Sequence, residues 1–129
     1  MSPLVTQIAL LALGGALGTL ARFGLTGLVQ NRLPNSTFPW GTMTVNILGC
    51  LVIGFLWIFV EEKPLLSPNA RLFLLIGLLG GFTTFSSFSL ETMNLLERGL
   101  WPAAALNVFG SVTACLLATL GGMVLARNL

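Results

Sequence analysis

Histidine and aspartate are absent, and four glutamates are the only acids in a chain of 129 residues. Proton-coupled pumps and transporters rely on a titratable group deep in the membrane. Here Glu61 and Glu62 fall in a loop, Glu97 lies near a helix end, and only Glu91 is a candidate, toward the end of its span. The shortage favours a passive pathway over a proton-coupled one; sodium coupling needs no titratable group and stays open. Charge of any kind is scarce: 8% of residues, against about 25% in soluble domains. No stretch alternates polar and apolar for long, which argues against membrane strands. Cys50 and Cys115 are the only cysteines, and both sit in apolar runs as expected packing residues rather than a disulfide. A net charge of +2 is too small to suggest nucleic acid. The N-terminal apolar run has no Lys or Arg before it and is too long for a cleaved signal, so a retained span is expected.

What is present is hydrophobic: 55% of the chain. Four runs, residues 4–29, 42–60, 72–95 and 101–126, each reach the about 20 residues that cross a bilayer as helix. The fold class expected is an all-α membrane protein, one four-helix domain over residues 1–129. Two prolines and Asn35-Ser36 shape the first connection, Ser67 or Asn69 caps the third helix, and Arg98-Gly99 ends it before Pro102 opens the fourth. No internal repeat or separable linker interrupts this plan.

Basic residues are also missing an asymmetry. With an even number of spans, Lys63, Arg71 and Arg127 share one side, and Arg22, Arg32 and Arg98 the other. An excess of Lys and Arg normally sets insertion direction. Three against three sets none, so the expected assembly is an antiparallel homodimer of oppositely inserted copies in lipid. Gly14 and Gly18, and Gly77 and Gly81, form G-x-x-x-G pairs that serve packing within the chain or between chains.

One run does not suit lipid. Residues 80–91 read GGFTTFSSFSLE, with five hydroxyls, paired glycines and three phenylalanines. Gly80-Gly81 weakens a helix by about 1 kcal/mol per glycine. Thr83 and Thr84 compete for backbone bonds. Two readings follow: an intact helix with hydroxyls turned back on carbonyls, or a break whose backbone lines a cavity and frees carbonyls for a cation. Phe82, Phe85 and Phe88 recur every three residues, either as core or as ring edges whose positive rim attracts an anion. Ser86, Ser87 and Ser89 offer hydroxyl donors beside them, and Ser111 and Thr113 add polar surface on the fourth span. Asn46, early in the second span, is either an interhelical hydrogen bond or an anion donor.

The segments GTLARF, WGTMTVNILG and GLLGGFTTFSSFSLE together resemble the Fluc (CrcB) family of fluoride channels, across nearly the whole chain. The third is the specific one. The resemblance implies a dual-topology dimer with two fluoride pores and a third helix broken at mid-membrane. It implies a structural sodium ion held by the backbone carbonyls of Gly80 and Thr83. It places Asn46, Phe85, Phe88, Ser86, Ser87 and Ser111 along the pore, with Glu91 ending the motif and Arg22 matching a first-helix arginine of unassigned role. The chain departs from the pattern at Ser87, Cys115 and Asn107, which leaves the polar track on the fourth helix open. The implied activity is passive fluoride export across the cell membrane, with no bond made or broken and hence no enzyme. A small multidrug-type antiporter would need an acid in the first helix, which has none. A subunit that only packs with partners would not need the hydroxyl-rich phenylalanine run.

Overall fold

Hydrocarbon offers no hydrogen bonds, so each apolar run must satisfy its own backbone as helix. The computed structural model describes residues 2–129 and contains four helices long and apolar enough to cross a membrane. The first, α1, is Pro3–Asn31 and the second, α2, is Trp40–Glu61. The third span, Pro68–Glu97, is made of two pieces, α3 over residues 68–82 and α4 over Phe85–Glu97. The last, α5, is Trp101–Arg127. The chain is a multi-pass membrane protein.

Helix ends follow local chemistry. Ser2 caps α1 by accepting from the Val5 amide at 3.3 Å. Of the two residues expected to cap the third span, Ser67 does so, accepting from the Ala70 amide at 3.2 Å. With Pro68 in the first turn, the helix therefore starts before the apolar run itself. Gly99 closes α4 at φ 73, a left-handed conformation open to glycine. Pro102 then occupies the first turn of α5. Two stretches, Leu72–Leu79 and Leu106–Gly110, are wound with the wider π-helical repeat.

α2 is the central helix. Its Thr42, Val45, Gly49, Gly54 and Ile58 are buried, whereas Leu13, Leu17, Leu20, Leu116 and Leu120 face outward, as lipid allows. α1 lies against α3 through the glycine pairs. A Cβ on Gly14 would stand 2.6 Å from the Phe73 carbonyl oxygen, and one on Gly81 would stand 2.5 Å from that of Gly15. Both G-x-x-x-G pairs thus act within the chain, by letting backbones touch. α2 and α5 run side by side in the same direction, with Gly54 against the Thr119 backbone. At their shared end Arg127 pairs with Glu62 at 2.6 Å, and Lys63 donates to the Ala126 carbonyl at 3.0 Å. The Arg127 guanidinium holds the Glu62 carboxyl below its ordinary range. Arg71 meets Glu61 at 3.6 Å at the same end. The basic residues expected on that side do gather there. Cys50 and Cys115 are free thiols.

Candidate functional site

The third span is broken. Thr83 and Thr84 are both extended, at φ −84°, ψ 156° and φ −151°, ψ 121°. At membrane depth such backbone needs partners from the protein, and Asn46 of α2 supplies them. Its Nδ2 donates to the Thr84 carbonyl at 3.0 Å, and its Oδ1 accepts from the Thr84 amide at 2.8 Å. Of the two roles open to Asn46, the interhelical bond is therefore present, twice over. One amide hydrogen remains, since an Asn nitrogen carries two. Thr83 folds its hydroxyl back on the Leu79 carbonyl at 3.0 Å, and Gly49 leaves room for its methyl.

The break releases particular oxygens. In a continuous helix the Gly80 carbonyl would accept from the Thr84 amide, and the Thr83 carbonyl from the Ser87 amide. Here the Thr84 amide is given to Asn46, and the Ser87 amide donates to Thr84 Oγ1 at 3.2 Å. Gly80 and Thr83 are thus left with carbonyl oxygens free of their helical partners. Hard oxygen donors of this kind suit a hard cation. Among the described residues, no cluster of three or more His, Cys, Asp or Glu offers an alternative metal site.

Thr84 is the hub. It is buried, and it caps α4 through its hydroxyl, which also reaches Ser87 Oγ at 3.1 Å and Ser86 Oγ at 3.3 Å. α4 then sets Phe85 and Phe88 with ring centroids 5.3 Å apart and planes tilted by 45°. Phe82 lies on the other side of the break, packed toward Gly49, so the three-residue aromatic stripe is not one helical face. Phe85 is 76% exposed on the outer surface of the chain.

Two cavities meet at Thr84. The first, about 410 Å³, is lined by Asn46, Gly80, Thr83, Thr84, Phe85, Phe88, Ser111 and Cys115 among apolar side chains, with no charged side chain in its wall. The second, about 730 Å³, is lined by Arg22, Thr42, Thr84, Ser87 and Glu91 among apolar side chains such as Phe23 and Leu28. In it Thr42 donates to Glu91 Oε1 at 2.7 Å, while the buried Oε2 has no hydrogen-bond partner among the described residues. The structure thus brings Asn46, Phe85, Phe88 and Ser111 to one cavity, with the Gly80 and Thr83 backbone. Ser87, Glu91 and Arg22 line the other, whereas Ser86 is exposed and lines neither, touching the site only through its hydroxyl contact with Thr84 at 3.3 Å.

Four polar side chains carry more in the fold than the sequence assigned them. Thr84 was expected, with Thr83, only to weaken the helix by competing for backbone bonds, although Thr directly before a Ser-rich helix start is also a capping signal. Thr42 and Thr92 gave no signal. Asn107 marked only a departure from a pattern. In the fold, Asn107 donates to Thr92 Oγ1 at 2.9 Å and accepts from Ser111 at 3.3 Å. Asn107 and Ser111 are neighbours one turn apart on α5, and only Thr92, on α4, is brought to them by tertiary contact.

The family model described as CrcB-like protein, Camphor Resistance (CrcB), matches residues 9–123 of this chain. A protein of Opitutus terrae named fluoride-specific ion channel FluC is 49% identical over 121 residues, covering 92% of this chain and 91% of that one. Another of the same name, from Nitratidesulfovibrio vulgaris, is 52% identical over 106 residues, 82% and 85% of the two chains. A third, from Geobacter sulfurreducens, is 46% identical over 125 residues, 97% of this chain and all of that one.

Proposed function

The chain belongs to the CrcB family, and on that premise we propose that it is a passive fluoride-selective channel that lets the ion leave the cell through its plasma membrane. The observation that carries this reading is the pairing of Phe85 and Phe88 beside an uncharged, partly polar cavity held in shape by the Asn46 clamp. Fluoride is small and a strong hydrogen-bond acceptor. The remaining Asn46 amide hydrogen, the hydroxyls of Ser86, Ser87 and Ser111, and the positive ring edges can replace its water. A wall without fixed positive charge binds the anion weakly enough to release it, as conduction requires. Nothing is made or broken covalently.

The functional unit we assign is an antiparallel homodimer. The even division of Lys and Arg removes any preferred direction of insertion. Gly80 has open space beyond its Cα, and Phe85 is exposed, so the broken segment presents a face that a second copy can cover. Two copies meeting there bring the Gly80 and Thr83 carbonyls of each to one place, which suits a structural sodium ion. Bound there, sodium would supply only fixed positive charge between the two broken helices. Replacing sodium by a bulky organic cation is expected to slow fluoride efflux without sodium itself being carried. Sodium flux in fixed ratio to fluoride would contradict this.

The decisive test is efflux from vesicles containing only the purified protein, recorded with ion electrodes. Rapid fluoride release with chloride retained is expected. Tags at the C-terminus should be accessible from both faces of the membrane. Chloride leaving as fast as fluoride would overturn the channel reading, and tags confined to one face would overturn the dimer.

A further inference from the structure

Asn107 is 1% exposed, one of the three most deeply buried large side chains among the described residues. It sits in a run of hydrogen bonds whose direction is set at one end. The Phe88 carbonyl can only accept. Thr92 has one hydroxyl proton, and it goes to that carbonyl at 2.8 Å. Thr92 therefore meets Asn107 with lone pairs, and Asn107 turns its NH₂ toward it at 2.9 Å. That leaves Asn107 Oδ1 facing Ser111, whose only proton is drawn to it at 3.3 Å. Ser111 lines the uncharged cavity. With its proton committed inward, its oxygen shows that cavity only lone pairs, and lone pairs repel an anion.

Building on the fluoride-channel reading, we infer that Asn107 is a positioning residue that withholds the Ser111 proton from the ion path. At 3.3 Å the bond is longer than the about 2.8 Å preferred by hydroxyl donors. An entering fluoride can therefore win the proton back, but only against that competition. The site is shallower than a free serine would make it, which favours release over retention. The chain sets this depth with a side chain that never touches the ion.

The test is fluoride efflux from vesicles at graded fluoride concentrations. Asn107→Leu removes the acceptor and should lower the half-saturating concentration about three- to tenfold, the worth of one ordinary hydrogen bond. Maximal flux should fall, because the ion leaves more slowly. Thr92→Val keeps the side-chain volume and frees Asn107 to turn its NH₂ toward Ser111, so it should shift half-saturation in the same direction. In a Ser111→Ala background neither change should shift it. A purely structural role would lose protein or raise the concentration needed. If Asn107→Leu does not fold, Thr92→Val decides. Unchanged half-saturation, or an equal shift without the Ser111 hydroxyl, overturns the inference. Wild-type protein that passes no fluoride would instead sink the channel reading beneath it.

Discussion

Phe88→Ile is expected to reduce fluoride efflux by about tenfold, and the double change with Phe85→Ile by about a hundredfold, while the protein stays folded in the same oligomeric state as the wild type. Isoleucine keeps an apolar side chain of comparable bulk but has no ring quadrupole. Ring-edge contacts of this kind contribute about 0.5–1.5 kcal/mol, and 1.36 kcal/mol in a barrier is about tenfold in rate. The fold should tolerate the change, because Phe85 is exposed and Phe88 only half-buried in the chain. Phe82 supplies the internal control. It lies before the break and packs toward Gly49 rather than lining the cavity. Efflux from both single variants at the wild-type rate, with the wild-type oligomeric state confirmed by gel filtration, would remove the rings from the mechanism.

The second large effect is expected at Asn46. Asn46→Leu deletes two hydrogen bonds and strands the Thr84 amide and carbonyl at membrane depth. Each orphaned group costs about 1–3 kcal/mol, so a stability loss of several kcal/mol and near-complete loss of efflux are expected together. Asn46→Asp separates the two halves of the clamp. It can still accept from the Thr84 amide but cannot donate to the Thr84 carbonyl when ionised, so its stability should fall between the two. The measurement is thermal unfolding in detergent beside vesicle efflux. If Asn46→Leu loses flux but melts like the wild type, the residue acts on the ion alone and the clamp has no structural weight.

Much of the plan was legible in the residues. Apolar runs long enough to span a bilayer leave the backbone no choice but helix, and Pro102, Gly99 and Ser67 end or begin those helices for local reasons. The even number of spans assigns the six basic residues to sides, and their positions along the chain then divide them three and three. GGFTTFSS was legible only as a choice. Glycines and threonines weaken a helix, but whether it breaks depends on whether another helix can take up the freed amide and carbonyl. Asn46 does so from 38 residues away.

The polar groups divide along the same line. Asn46 alone could serve an anion or another helix, and the distances place it with the helix while one amide hydrogen stays free. Phe82, Phe85 and Phe88 are evenly spaced in the chain, yet the break turns the first away from the other two. Asn107 and Ser111 are spaced to meet on one helix, but nothing in the sequence joins Thr92 to them, and the direction of the run is fixed by the acceptor at its end, the Phe88 carbonyl.

The residues by themselves determined that this chain has four helices able to cross a membrane, an even division of Lys and Arg between the two sides, and a third helix weakened at Gly80–Thr84. Those are consequences of local propensity and of what lipid forbids. Only the packed fold decided which carbonyls came free, which hydroxyls faced the cavity and which way their protons pointed. A hydrogen bond across helices depends on where two distant residues are brought to rest, and no single stretch of chain contains that distance.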